Sequence, residues 1–95
     1  MAFTFEWDPG KAAANRSKHR VSFDEAVTAF TDPLGRVIED PRHSRGEERL
    51  VLVGVSRRGR LLAVMFTERA PRHLRIISAR LVTRRERTDY EETHP

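Results

Sequence analysis

The longest apolar run in the chain is Leu61-Leu62-Ala63-Val64-Met65-Phe66, six residues where a membrane span needs about 20, so no segment is expected to cross a bilayer. A run of this length fits a strand buried on both sides. Leu62, Val64 and Phe66 point one way and Leu61, Ala63 and Met65 the other. An open antiparallel sheet with helices on one side alternates apolar and polar residues, so the second face of this strand needs its own cover. The expectation is a central strand covered by the chain's own elements; a second copy or another protein is the alternative. With 95 residues there is room for one domain, expected over 1–95. Nine of the apolar residues are alanine, so the core is thin.

Phe3, Phe5 and Trp7 alternate with Thr4 and Glu6, the period of a half-buried strand. Asp8-Pro9 stops it and starts a helix, with aspartate as N-cap and proline at the first helical position, running to about Lys18. Ser22 and Glu25 then form a capping box, and Phe23, Ala26, Val27 and Phe30 recur at helical spacing until Asp32-Pro33-Leu34-Gly35. Strands are expected at Arg36 to Asp40, Glu48 to Val55, Leu61 to Thr67 and His73 to Val82. A polar loop at Pro41 to Gly46 and turns at Ser56 to Gly59 and Ala70-Pro71 separate them into an antiparallel meander. Thr83 and Glu86 form a last capping box, opening a helix from Arg84 to about Glu92 whose one large apolar side chain is Tyr90. The fold class is therefore α+β, an antiparallel β-sheet with two N-terminal helices and a C-terminal helix. Arg84 and Arg85 in the first turn of that last helix, and Glu91 and Glu92 at its end, oppose the macrodipole, which marks the segment for function.

Charge separates along the chain. Residues 57–87 hold ten arginines against Glu68 and Glu86, and 16 of the 18 basic residues are arginine. The planar guanidinium fork matches phosphate oxygens two at a time, which favours a polyanionic partner; a solvated arginine-rich surface is the alternative. The absence of cysteine excludes disulfides, thiolate catalysis and Cys-type zinc sites. His19, His43, His73 and His94 lie too far apart in sequence for a metal pair, so neither metal nor cofactor is expected. The N-terminus has neither the basic start nor the apolar segment of a signal peptide, and a cytoplasmic location is the default expectation.

The run Phe5-Glu6-Trp7-Asp8-Pro9 with Lys11, Asn15 and Lys18-His19, followed by Val21-Ser22-Phe23-Asp24-Glu25-Ala26, resembles the N-terminal signature of the BrnT toxins. Asp32-Pro33, Gly46-Glu47-Glu48-Arg49, Gly59-Arg60, Thr67-Glu68-Arg69, Arg75-Ile76-Ile77-Ser78-Ala79-Arg80, Glu86-Arg87 and Tyr90 follow in the same order, so the resemblance covers nearly the whole chain. It implies a bacterial type II ribonuclease toxin with a RelE-like fold, which halts translation by cleaving RNA. It also implies a BrnA antitoxin partner, through which alone the complex would reach operator DNA. The chain departs from the pattern at Arg20, where glycine is usual, and at Leu81 and Val82, which replace a basic residue and an alanine. Phe66 stands where tyrosine is frequent, so residue 66 is not expected to be catalytic.

Metal-free RNA cleavage needs the 2′-OH deprotonated, the phosphate charge stabilised and the leaving oxygen protonated. Arg80, on the face of Ile76 and Ser78 by the two-residue strand period, is expected with Arg69 to grip the scissile phosphate. Its alternative is an ion pair with Glu47 or Glu48. Arg84 and Arg87 would meet neighbouring phosphates, and Arg57, Arg58, Arg60, Arg72, Arg75 and Arg85 complete the RNA-binding surface. Tyr90 would stack on a base or move a proton, or else simply anchor its helix. His19 beside Lys18 is one candidate base, with C-terminal dipole pairing as its alternative; Glu68 among the arginines is the other. Two further functions compete: a non-catalytic nucleic-acid binder, and a protein-interaction subunit whose arginines meet an acidic partner.

Overall fold

The computed structural model describes residues 2–40 and 48–93. At its centre is β4 (Leu61–Ala70), flanked by β3 (Leu50–Val55) and β5 (His73–Leu81), with β2 (Arg36–Glu39) and β1 (Thr4–Glu6) at the edges in the order β1-β5-β4-β3-β2. β2 to β5 form the expected antiparallel meander. β1 differs: it pairs with β5 in parallel, Thr4 beside His73 and Glu6 beside Arg75. The expected polar loop 41–46 lies outside the described residues, as do Glu47, His43 and His94.

The helices start where the caps put them. Asp8 accepts from the Lys11 N–H at 2.9 Å to open α1 (Pro9–His19), and Ser22 accepts from the Glu25 N–H at 3.0 Å to open α2 (Phe23–Thr28), which runs on into a 3-10 turn, Ala29–Thr31. Half of that second capping box is absent. The Glu25 carboxylate does not turn back to Ser22 but crosses to the β3–β4 hairpin. Gly54 on β3 lets the 3-10 turn come close, since a Cβ there would lie 2.9 Å from the Ala29 carbonyl oxygen.

On the helix side, Val21, Phe23, Ala26, Leu62, Val64, Phe66, Leu74, Ile76 and Ala79 form the core, with Phe66 edge-on to Phe30 at 5.1 Å and Trp7 edge-on to Phe23 at 5.9 Å. Phe66 is thus a packing residue. Phe5 and Trp7 join this core but Phe3 is half exposed, so β1 is shorter than its alternation suggests. The buried Asn15 amide fixes α1 to β5. It donates to the Val21 and Ala79 carbonyls at 2.9 and 2.8 Å and accepts from the Ala79 N–H at 3.1 Å.

The second face of β4 is covered within the chain. Val51, Val53, Leu61 and Ala63 are buried there against Val82 and Tyr90, the latter on α3 (Arg84–Thr93). No helix among the described residues is long and apolar enough to cross a membrane.

Arg20 ends α1 in the left-handed region, φ 60°, its N–H on the Arg16 carbonyl at 3.0 Å. A side chain there costs about 1 kcal/mol that glycine avoids, so Arg20→Gly is expected to raise stability by about that amount. Asn15→Ala, which orphans buried backbone groups, is expected to lower it by about 3 kcal/mol. Urea unfolding of both variants checks the pair.

Candidate active site

One inserted residue in β5 decides which arginine faces where. The β4–β5 register passes from Met65 opposite Ser78 to Phe66 opposite Ile76, leaving Ile77 as a bulge. Leu74 and Ile76 before the bulge, and Ala79 after it, point to the helices. Arg80, opposite Ala63, points to the other side. It therefore shares a face with Ser78 but not with Ile76, against the simple two-residue period. That face carries a groove of about 380 Å³ whose lining includes Ile38, Val51, Met65, Ser78, Arg80 and Glu86.

Arg80 is held by Glu86 through two hydrogen bonds, Nη1 to Oε1 at 2.7 Å and Nη2 to Oε2 at 3.0 Å. The expected α3 capping box is complete: Glu86 Oε1 accepts from the Thr83 N–H at 2.8 Å, and Thr83 Oγ1 from the Glu86 N–H at 3.1 Å. Glu86, not Glu48, is thus the acidic partner seen for Arg80, while Glu47 lies outside the described residues. The Arg80 guanidinium, with the Thr83 N–H, holds the Glu86 carboxyl below its ordinary value, and the carboxylate in turn raises the arginine.

A second polar cluster lies on the same sheet face toward the opposite end. Glu6 on β1 accepts from Arg75 Nη1 at 2.6 Å and pairs with His73 Nε2, while His73 Nδ1 lies 2.7 Å from Thr4 Oγ1. His73 and Arg75 hold the Glu6 carboxyl below its ordinary value. Sequence reasoning missed Glu6, His73 and Thr4. The signal was present in the polar positions of two alternating strands, but only the parallel β1–β5 pairing joins them.

The other arginines divide between the two ends of the sheet. Arg57, Arg58 and Arg60 are in the β3–β4 hairpin, near the start of α3 with Arg84, Arg85 and Arg87; Arg69, Arg72 and Arg75 are at the far end. Arg69 is six residues along β4 from Ala63, the partner of Arg80, or about 20 Å at the rise of a strand. The two arginines expected to share the grip therefore start from well-separated points on the sheet. Arg60 is committed to the buried Glu25 carboxylate, with Nε at 2.9 Å from Oε2, and Ser56 Oγ donates to the same oxygen at 2.7 Å. Arg58 is exposed, 3.7 Å from Glu25, and Arg87 is 3.7 Å from Glu91. Arg57, Arg72, Arg84 and Arg85 are exposed and make no ion pair with a described residue.

Lys18 and His19 end α1, which packs on β5 from the helix side, so the sheet separates them from Arg80. Glu68 is exposed on β4, opposite Leu74 and near Arg69. Tyr90 donates to Asp32 Oδ2 at 2.7 Å, and the same carboxylate accepts from the Val55 and Leu34 N–H groups. Burial and the Asp32 charge push the phenol up to about 12, which suits an anchor rather than a proton carrier at neutral pH. No group of three or more metal-binding side chains occurs among the described residues.

The arginine contacts also set an acid limit. Glu25 and Glu86 titrate below the ordinary 4.5 when folded, so their contribution is present above that value and lost as pH falls through the folded pKa. Thermal midpoints should be level near neutrality and drop below about pH 4.5, and Glu25→Gln should lower the neutral midpoint and flatten the drop.

Residues 7–86 match the family model described as "Ribonuclease toxin, BrnT, of type II toxin-antitoxin system". In shape, the molecule is similar to the 1.1 Å crystal structure of the Brucella abortus ribonuclease toxin BrnT, with a TM-score of 0.63 and 21% identity over 87% of this chain and 100% of that one. At that identity the likeness shows the fold, an α+β arrangement consistent with the RelE-like label. No curated protein sequence matches. The profile match spans most of the sequence, and the chain belongs to the BrnT family of ribonuclease toxins, each the toxin half of a type II toxin-antitoxin pair.

Proposed function

We propose that RNA lies along the sheet face between Arg80 and the Glu6–His73–Arg75 cluster and is cleaved there without a metal ion. The observation that carries this reading is that Glu6 from β1, Arg75, Ser78 and Arg80 from β5 and Glu86 from α3 share one side of the sheet. They come from three separate pieces of the resemblance to the family.

Arg80 has five N–H donors. Glu86 takes one from each terminal nitrogen and the Leu81 carbonyl takes a second from Nη1 at 3.2 Å, which leaves Nε–H and one Nη2–H without a partner among the described residues. That remaining edge fits two phosphate oxygens. Glu86 orients the guanidinium, so phosphate binds a side chain already fixed. Arg84 and Arg85 then contact phosphates on one side, and Arg69, Arg72 and Arg75 on the other. The exposed Arg57 and Arg58 add charge at the hairpin end, while Arg60 and Tyr90 serve the scaffold. Cleavage of cellular RNA by this face halts translation in the cytoplasm. A BrnA-like antitoxin silences the chain by covering the groove, and operator DNA is contacted only through that antitoxin.

Purified protein in EDTA should cleave RNA. Arg80→Ala, which removes one contact that positions the RNA, should lower the rate by about 10²-fold and abolish growth inhibition, with the circular dichroism spectrum and antitoxin binding retained. Wild-type cleavage by Arg80→Ala would place the site elsewhere; retention of RNA without products would favour a simple binding module.

A further inference from the structure

We infer that His73 is the proton-transfer residue of this face, its Nδ1 taking the proton of the ribose 2′-OH. The inference rests on the RNA-cleavage reading above and names the base that reading leaves open.

Two strands running in parallel build the arrangement. Thr4 sits beside His73 and Glu6 beside Arg75, and residues two apart on each strand share the sheet face. Glu6 Oε1 faces Nε2 of the imidazole and so favours the tautomer with the proton there, leaving a lone pair on Nδ1. A carboxylate behind a histidine in this way fixes the ring and stabilises the imidazolium once a proton arrives. The other Glu6 oxygen is held by Arg75, which presents its cation beside the same ring. The charged groups around His73 are Glu6 from β1, Arg75 on its own strand, Arg72 in the turn, and Glu68 and Arg69 at the end of β4.

What occupies Nδ1 is itself a hydroxyl. Thr4 Oγ1 lies 2.7 Å away, and its proton has a second acceptor in the Arg72 carbonyl at 3.4 Å. Thr4 can therefore turn to that carbonyl and yield Nδ1 to a ribose hydroxyl. Nδ1 then takes the 2′-OH proton as the 2′-oxygen bonds to phosphorus. The bond from phosphorus to the 5′-oxygen breaks, and that oxygen leaves with a proton from water, giving a 2′,3′-cyclic phosphate and a 5′-hydroxyl. Arg75 meets the charge on the scissile phosphate, while Arg80, five residues further along β5 and so about 16 Å away, holds another phosphate of the same RNA.

The competing role is a clasp that merely ties β1 to β5, and rates and pH profiles separate the two. Expected for His73→Ala are a cleavage rate lowered about 10²- to 10⁴-fold, loss of the acid limb of the rate–pH profile, and partial rescue by added imidazole. Affinity for an RNA carrying a 2′-deoxy residue at the cleavage position should stay within about threefold, since proton transfer is not part of binding. Glu6→Gln, which keeps the shape and removes the charge that orients the ring, should lower the cleavage rate while leaving that affinity unchanged. If His73→Ala cleaves with the wild-type pH profile while Arg80→Ala does not cleave, His73 is a clasp and the inference fails, though the cleavage reading stands. A lowered rate without imidazole rescue and with the wild-type pH profile also overturns it. If the wild-type protein does not cleave RNA at all, both fall.

Discussion

β4 is apolar on both sides, and a strand of that kind is stable only with a layer packed against each face. The chain has too few large apolar residues to build two full layers, and it solves the shortage unequally. One side receives α1, α2 and five aromatic rings, among them Phe30 against Phe66. The other receives one helix held by Tyr90 and Val82, which covers Leu61 and Ala63 and stops short of Met65 and Ser78. The stretch beyond that helix is where the polar side chains of β1 and β5 gather. Thin covering on that side is the condition for an accessible site on a sheet of this size.

The elements whose rules are local were legible in the sequence. Asp8, Ser22 and Thr83 cap the helices that their spacing announces, and the apolar run at Leu61 names the central strand. What was hidden depends on non-local pairing. Glu25 is spaced to close a capping box, yet a charged guanidinium and a hydroxyl brought in by the hairpin outcompete a backbone N–H for its carboxylate. The bulge at Ile77 leaves no mark in an apolar stretch, and it reverses the face of every later residue on the strand, Arg80 first among those that matter. The Glu6–His73 contact spans 67 positions and exists only because a three-residue strand runs parallel to its neighbour.

The arginine-rich segment is also less uniform than its charge suggests. Glu25, Glu6 and Glu86 each engage a guanidinium, and the three do different work. Glu25 is buried and fastens the β3–β4 hairpin to α2. Glu86 lines the groove and Glu6 lies on the same sheet face toward its other end, and each fixes the direction of a cation that keeps further donors for a ligand. Net charge brings an anion to such a surface, and these carboxylates set the geometry it meets.

Glu86 has two duties, since the same carboxylate caps the last helix and orients Arg80. Docking of that helix and the hydrogen-bonding capacity of the arginine are therefore one thermodynamic variable. Undocking α3 would carry Glu86 away and free the two donors it holds on Arg80, so any ligand that demanded those donors would loosen the C-terminal segment, and by linkage a protein that held the segment docked would weaken that ligand.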